Sequence, residues 1–112
     1  MPPLTDTSSY AYLMAAILFE VTGTLLLPLS DNFTKILPTI SLTICYMAAF
    51  YCLTFAIKTI PIALVYATWS GLGIFLIALF SYVVYGQSLS WLAILGLFFI
   101  IMGVSLVTLF RS

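Results

Sequence analysis

The sequence predicts an all-α membrane protein with four transmembrane helices, and three observations carry that reading. First, of 112 residues, 64% are hydrophobic and only 5% charged. A soluble domain carries about 25% charged residues, so this chain cannot cover a water-facing surface. Second, mean hydropathy is +1.29, and the apolar residues fall in runs of about 20, the length a helix needs to cross a hydrocarbon core ~30 Å thick. Third, the breaks between the runs are short and polar. The length leaves room for one domain, expected to be a single four-helix unit over residues 1–112. Net charge is zero and no basic patch is present, so nucleic acid is not an expected partner. The lipid bilayer is. There is no His, and the two cysteines, Cys45 and Cys52, lie seven apart. On one helix that spacing separates them by about 10 Å along the axis, too far for a disulfide. They read as small buried apolar residues. Neither a metal, a cofactor nor an enzymatic reaction is expected.

The first span reads Tyr10 to Leu29, ended by Pro28 and the cluster Ser30-Asp31-Asn32. The tail "MPPLTDTSSY" has no positive n-region, so this span is expected to be mature structure rather than a cleaved leader. The second span runs from about Thr34 to Ile57, with Pro38 in its first turn, where a missing N–H costs little. Lys58 closes it, and Thr59-Ile60-Pro61 turns the chain. From Thr59 to Phe110 there is no charge. As one helix that stretch would be about 78 Å long, so it must fold back. "YGQSLS", Tyr85 to Ser90, is the polar, Gly-containing break. The third span is therefore about 61–84 and the fourth about 89–110, ended by Arg111. Loops this short make neighbouring helices antiparallel. Tyr10, Tyr12, Tyr85 and Trp91 fall at span ends, as interfacial aromatics do.

Orientation is weakly encoded. Lys58 and Arg111 share one side, and Lys35 lies on the other. Two against one is a poor positive-inside bias. Both orientations in one membrane are open, which permits an antiparallel homodimer.

Glu20 is the anomaly. The chain has 3 Asp+Glu and 3 Lys+Arg. All but Glu20 lie at span edges or in the N-terminal tail. Glu20 sits near the centre of span one, in "AAILFEVTGT". A central charge costs roughly 2.5–3.5 kcal/mol on insertion scales. Desolvation disfavours the ionised form of a carboxyl, so Glu20 is placed to take up and lose a proton. The alternative is a neutral Glu20 serving as an interhelical hydrogen-bond donor. Leu13, Ala16, Ile17, Gly23 and Thr24 share its helical face, at offsets of three, four and seven. Ala16 and Gly23 leave room beside the carboxyl, and Thr24 offers a hydroxyl one turn away. No basic residue within the spans can neutralise Glu20, so an ionised form would want an outside cation, either a proton or a substrate.

Aromatic rings attract organic cations, and Tyr46, Tyr66 and Trp69 lie deep in spans two and three. With 9 Phe and 7 Tyr in the chain, plain packing is the competing reading for each ring. Gly71 and Gly73 stand at mid-depth in span three, where glycine costs about 1 kcal/mol. They mark either close helix packing or a bend. In span four, Gly96 and Gly103 are seven apart and would let a partner helix approach closely.

Taken together, "AAILFEVTGT", "ICYMAAFYCL", "IPIALVYATWSGLGIF", "YGQSLS" and the pair Gly96 and Gly103 resemble the small multidrug resistance family, in its quaternary-cation exporter branch. The likeness covers nearly the whole chain. It implies an antiparallel dual-topology dimer in the bacterial inner membrane, four helices per subunit, exporting hydrophobic cations in exchange for protons. It implies that both Glu20 carboxylates face one shared chamber, lined by Leu13, Ala16, Ile17, Gly23, Thr24, Tyr46, Tyr66 and Trp69. Gly71 and Gly73 match the family's helix kink, and Gly96 and Gly103 its dimer arm. Three positions depart from the pattern. Pro28 stands where the family usually has a Lys, Ala49 where many members have a small hydroxyl, and Thr22 where guanidinium exporters carry a Trp. The last argues against a guanidinium exporter. The first two make the chamber less polar. They leave open a lipid-like amphiphile as cargo, or a subunit of a heteromeric transporter. A rotor subunit carrying its proton on Glu20, and a purely structural membrane partner, are further readings from other classes.

Overall fold

The computed structural model describes residues 6–110. They form four α-helices and one short 3₁₀ turn. The helices are α1 (Asp6–Leu26), α2 (Ile36–Ala56), α3 (Ile62–Tyr85) and α4 (Trp91–Leu109). Each is long and apolar enough to cross a membrane. The chain divides into two compact units, residues 1–61 with α1 and α2, and residues 62–112 with α3 and α4. Each is a helical hairpin.

The boundaries follow local chemistry. α1 begins four residues ahead of Tyr10, because Thr7, Ser8 and Ser9 continue the helix. It stops at Leu26, and Leu27–Ser30 tightens into a 3₁₀ turn with Pro28 at its start. Proline lacks the N–H an α-helix would need there. Ser30 is buried, donates to Leu27 O at 2.7 Å, and accepts from the Phe33 N–H at 3.3 Å. Three left-handed residues follow, Asp31, Asn32 and Phe33, with φ of 48°, 57° and 67°. Asp and Asn tolerate that region, whereas a bulky residue such as Phe rarely enters it.

α3 ends at the polar break. Gly86 has φ 67°, and its N–H bonds Tyr82 O at 3.0 Å, a left-handed C-terminal cap of the kind glycine provides. Ser90 caps α4, its hydroxyl accepting from the Ala93 N–H at 3.3 Å. The expected terminator of span four, Arg111, lies outside the described residues.

In the first hairpin, hydroxyls and rings tie the two helices. Ser9, buried, hydrogen-bonds Thr59. Tyr12 stacks on Phe55 with centroids 4.8 Å apart, and Lys58 Nζ lies 5.1 Å over the same ring. Toward the other end, a Cβ on Gly23 would stand 3.4 Å from Leu42 O, Cys45 Cβ and Tyr46 Cε1. That is ordinary van der Waals contact, so α2 packs directly against α1 at this position.

In the second hairpin the close approach is at Gly71. A Cβ there would lie 2.5 Å from Val104 Cγ2, an overlap. Helix α3 is continuous through Gly71 and Gly73, and both are buried. None of the described residues of α4 is buried.

Candidate functional site

Glu20 lies in the α1 segment that faces α2, and is half-buried. Its Oε1 accepts a hydrogen bond from Thr24 Oγ1 at 2.9 Å. The same Oγ1 is 2.7 Å from the Tyr46 hydroxyl on α2. A carboxylate, a threonine and a phenol thus form one chain across two helices. The sequence placed Thr24 one turn from Glu20, and the structure joins them.

The remaining expected residues fall into groups. Leu13, Ala16 and Ile17, one and two turns before Glu20, are buried, at 2%, 0% and 0% exposure. Gly23 is buried where α2 approaches. Tyr66 and Trp69 lie one turn apart on α3, in the other hairpin. Tyr66 is 73% exposed and Trp69 half-buried. Gly96 is half-buried and Gly103 exposed, and a Cβ on either would meet nothing within 4 Å. A groove of about 500 Å³ runs between the end of α3 and the start of α4, among Phe75, Tyr82, Gln87, Leu89, Ile94 and Phe98. No motif in the sequence marks this groove.

The direct bond from Thr24 to Tyr46 was missed by sequence reasoning. Its one signal was Gly23, which adjoins Thr24 and packs against Tyr46 Cε1 of α2. Ala49, one of the three departures, is fully buried. Pro28 is exposed at the helix end.

These features define a class: a multi-pass helical membrane protein with a carboxyl hydrogen-bonded to a hydroxyl within its apolar layer. The family model for the Small Multidrug Resistance protein matches residues 8–100. The multidrug transporter EmrE of Escherichia coli (strain K12) is 44% identical over 100 residues, covering 89% of this chain and 91% of that protein. The quaternary ammonium compound-resistance protein QacF of Klebsiella aerogenes is 37% identical, covering 90% of this chain and 92% of the relative. The multidrug resistance protein EbrB of Bacillus subtilis (strain 168) is 39% identical, with 83% and 80% covered. The chain belongs to the small multidrug resistance family. It is a multi-pass protein of the bacterial inner membrane.

Proposed function

We propose that this protein exports hydrophobic, quaternary ammonium-type cations in exchange for protons, with Glu20 holding either one. The observation that carries the reading is the Glu20 carboxyl itself. It is half-buried mid-span, with a hydroxyl donor at 2.9 Å, and among the described residues the basic ones, Lys35 and Lys58, both lie outside the helices. A carboxylate left without a fixed countercharge in an apolar layer favours a cation from outside. The names of the relatives, as multidrug and quaternary ammonium resistance proteins, supply the cargo class.

In this reading the two hairpins act as one four-helix domain, and two copies pair antiparallel through α4. The open space at Gly96 and Gly103 supports that pairing. So does the weak charge asymmetry between the loops. Cation and proton compete for one site, and that exclusion couples the two flows. Tyr66 and Trp69 supply ring faces for the cation.

The test is purified protein in liposomes under a pH gradient, with a panel of quaternary cations. Uphill cation movement with proton counterflow is expected. If only lipid-like amphiphiles respond, the cargo is a lipid, and Pro28 and Ala49 become the positions to exchange. If nothing drives proton movement, the antiport reading fails.

A further inference from the structure

We propose that Thr24 transmits the protonation state of Glu20 to the phenol of Tyr46 by reversing the direction of their hydrogen-bond chain. The inference rests on the reading of Glu20 as proton and cation carrier, and its test does not need a cation.

The direction of the chain follows from hydrogen counting. A threonine hydroxyl has one hydrogen, and an ionised carboxylate can only accept. Thr24 Oγ1 donates to Glu20 Oε1 at 2.9 Å. Its hydrogen is then used, so the 2.7 Å contact with Tyr46 must be donated by the phenol. The chain runs from Tyr46 to Thr24 to Glu20. The phenol hydrogen points at Thr24, and the lone pairs of Tyr46 point elsewhere.

Protonation at Oε1 puts a hydrogen into the 2.9 Å gap. Thr24 can then only accept from Glu20, and it turns its own hydrogen toward Tyr46. The phenol becomes the acceptor, and its hydrogen swings outward. No O–H bond breaks. One proton is gained, on Glu20, and two hydroxyls rotate.

Two further observations show that Thr24 is placed for this. Helical threonines here commonly donate to a carbonyl four residues back: Thr22 to Leu18 at 2.8 Å, Thr39 to Lys35 at 2.6 Å, Thr43 to Thr39 at 2.7 Å. Thr24 instead donates to a side chain. At Gly23, beside it, Tyr46 Cε1 and Cys45 Cβ pack on the surface of α1, 3.4 Å from where a Cβ would stand. Tyr46 and Cys45 are the titratable groups that α2 brings to this stretch. Asp31, Lys35 and Lys58 belong to the ends of the hairpin.

The consequence is a second change of sign. With Glu20 ionised, Tyr46 turns oxygen lone pairs away from the chain, where a cation would be attracted. With Glu20 protonated, it turns a hydrogen there, which repels one. Proton uptake removes the carboxylate charge and reverses the neighbouring dipole together.

The experiment is a pH titration without cation. The Glu20 carboxyl carbon and the Tyr46 Cζ are labelled and followed by ¹³C NMR in bilayers, with Tyr46→Phe assigning the phenol signal. In wild type the Tyr46 signal should move with the same midpoint as Glu20. Thr24→Ser, which keeps the hydroxyl, should retain the shared midpoint. Thr24→Val and Glu20→Gln should abolish it. A Tyr46 signal that ignores Glu20 in wild type overturns the proposal. So does one that still follows Glu20 in Thr24→Val. Tetrabutylammonium-induced proton release from wild type, measured alongside, tests the transport reading separately. Shared midpoints without such release would leave the relay standing and remove the antiporter.

Discussion

The two hairpins are built from the same kind of residue and end up differently. In the first, α1 is bound to α2 by the Tyr12–Phe55 stack and by Thr24 and Tyr46, and to the turn after α2 by Ser9 and Thr59. Ser81, Ser105 and Thr108 of the second donate back to carbonyls of their own helices. Helix α3 meets α4 through a bare glycine at Val104, and α4 leaves Leu92, Phe98, Phe99, Met102 and Leu106 exposed. In lipid, helix association draws on close packing and hydrogen bonds rather than on a hydrophobic force. The first hairpin uses both. In the second, the close approach described is packing at Gly71 against Val104, and none of the described residues of its last helix is buried. The carboxyl and its hydroxyl partners thus lie in one half, and the exposed apolar helix in the other.

The sharpest way to break the contrast is Glu20→Gln. It should abolish proton-driven cation uptake while leaving insertion and dimer yield intact, since the shape is kept and the titrating group is lost. Uphill transport equal to wild type would place the chemistry elsewhere. Gly103→Val and Gly96→Val attack the other half. Each added side chain meets open space within the chain, so thermal stability of the monomer should hold while cross-linking between copies falls several-fold. Unchanged cross-linking would count against α4 as the seam. Gly71→Ala should destabilise the second hairpin by about 1–3 kcal/mol, the usual cost of overpacking, because its Cβ would overlap Val104 Cγ2. Val104→Ala made alongside should recover much of that loss. Strict additivity of the two changes would show that the contact is not responsible.

Trp69→Ala should reorder a cation panel, weakening aromatic cations more than small ones, because it removes a large ring face. Equal weakening across the panel would make the ring scaffold. The smallest effect is expected from Lys58→Gln, which leaves Phe55 without its cation and should cost about 0.5–1 kcal/mol in thermal unfolding. A larger loss would mean that Lys58 does more than cover a ring.

Much of this was legible in the sequence, for reasons that can be named. Span count follows from length and charge, and the α2, α3 and α4 boundaries fell within about two residues because Lys58, Pro61, Gly86 and Ser90 are strong local signals. The start of α1 was placed four residues late, since Thr7, Ser8 and Ser9 look like tail until Ser9 finds Thr59. Glu20 announced itself by being charged where charge is costly. The bond between Thr24 and Tyr46 did not, because it depends on how α1 and α2 are rotated about their axes, which hydropathy does not encode. The left-handed backbone of Phe33 was equally hidden. A phenylalanine carries no turn signal of its own.

The unburied face of α4 has a temporal meaning. A ribosome delivers α1 and α2 first, and their hydroxyl and ring contacts are all within reach before the second hairpin exists. Helix α4 arrives last, with Gly96 and Gly103 uncommitted. The half of the molecule that holds the carboxyl can therefore settle while the chain is still being made. In the proposed dimer, the choice of a neighbour is then deferred to the final step of synthesis, when a whole subunit is present to be chosen.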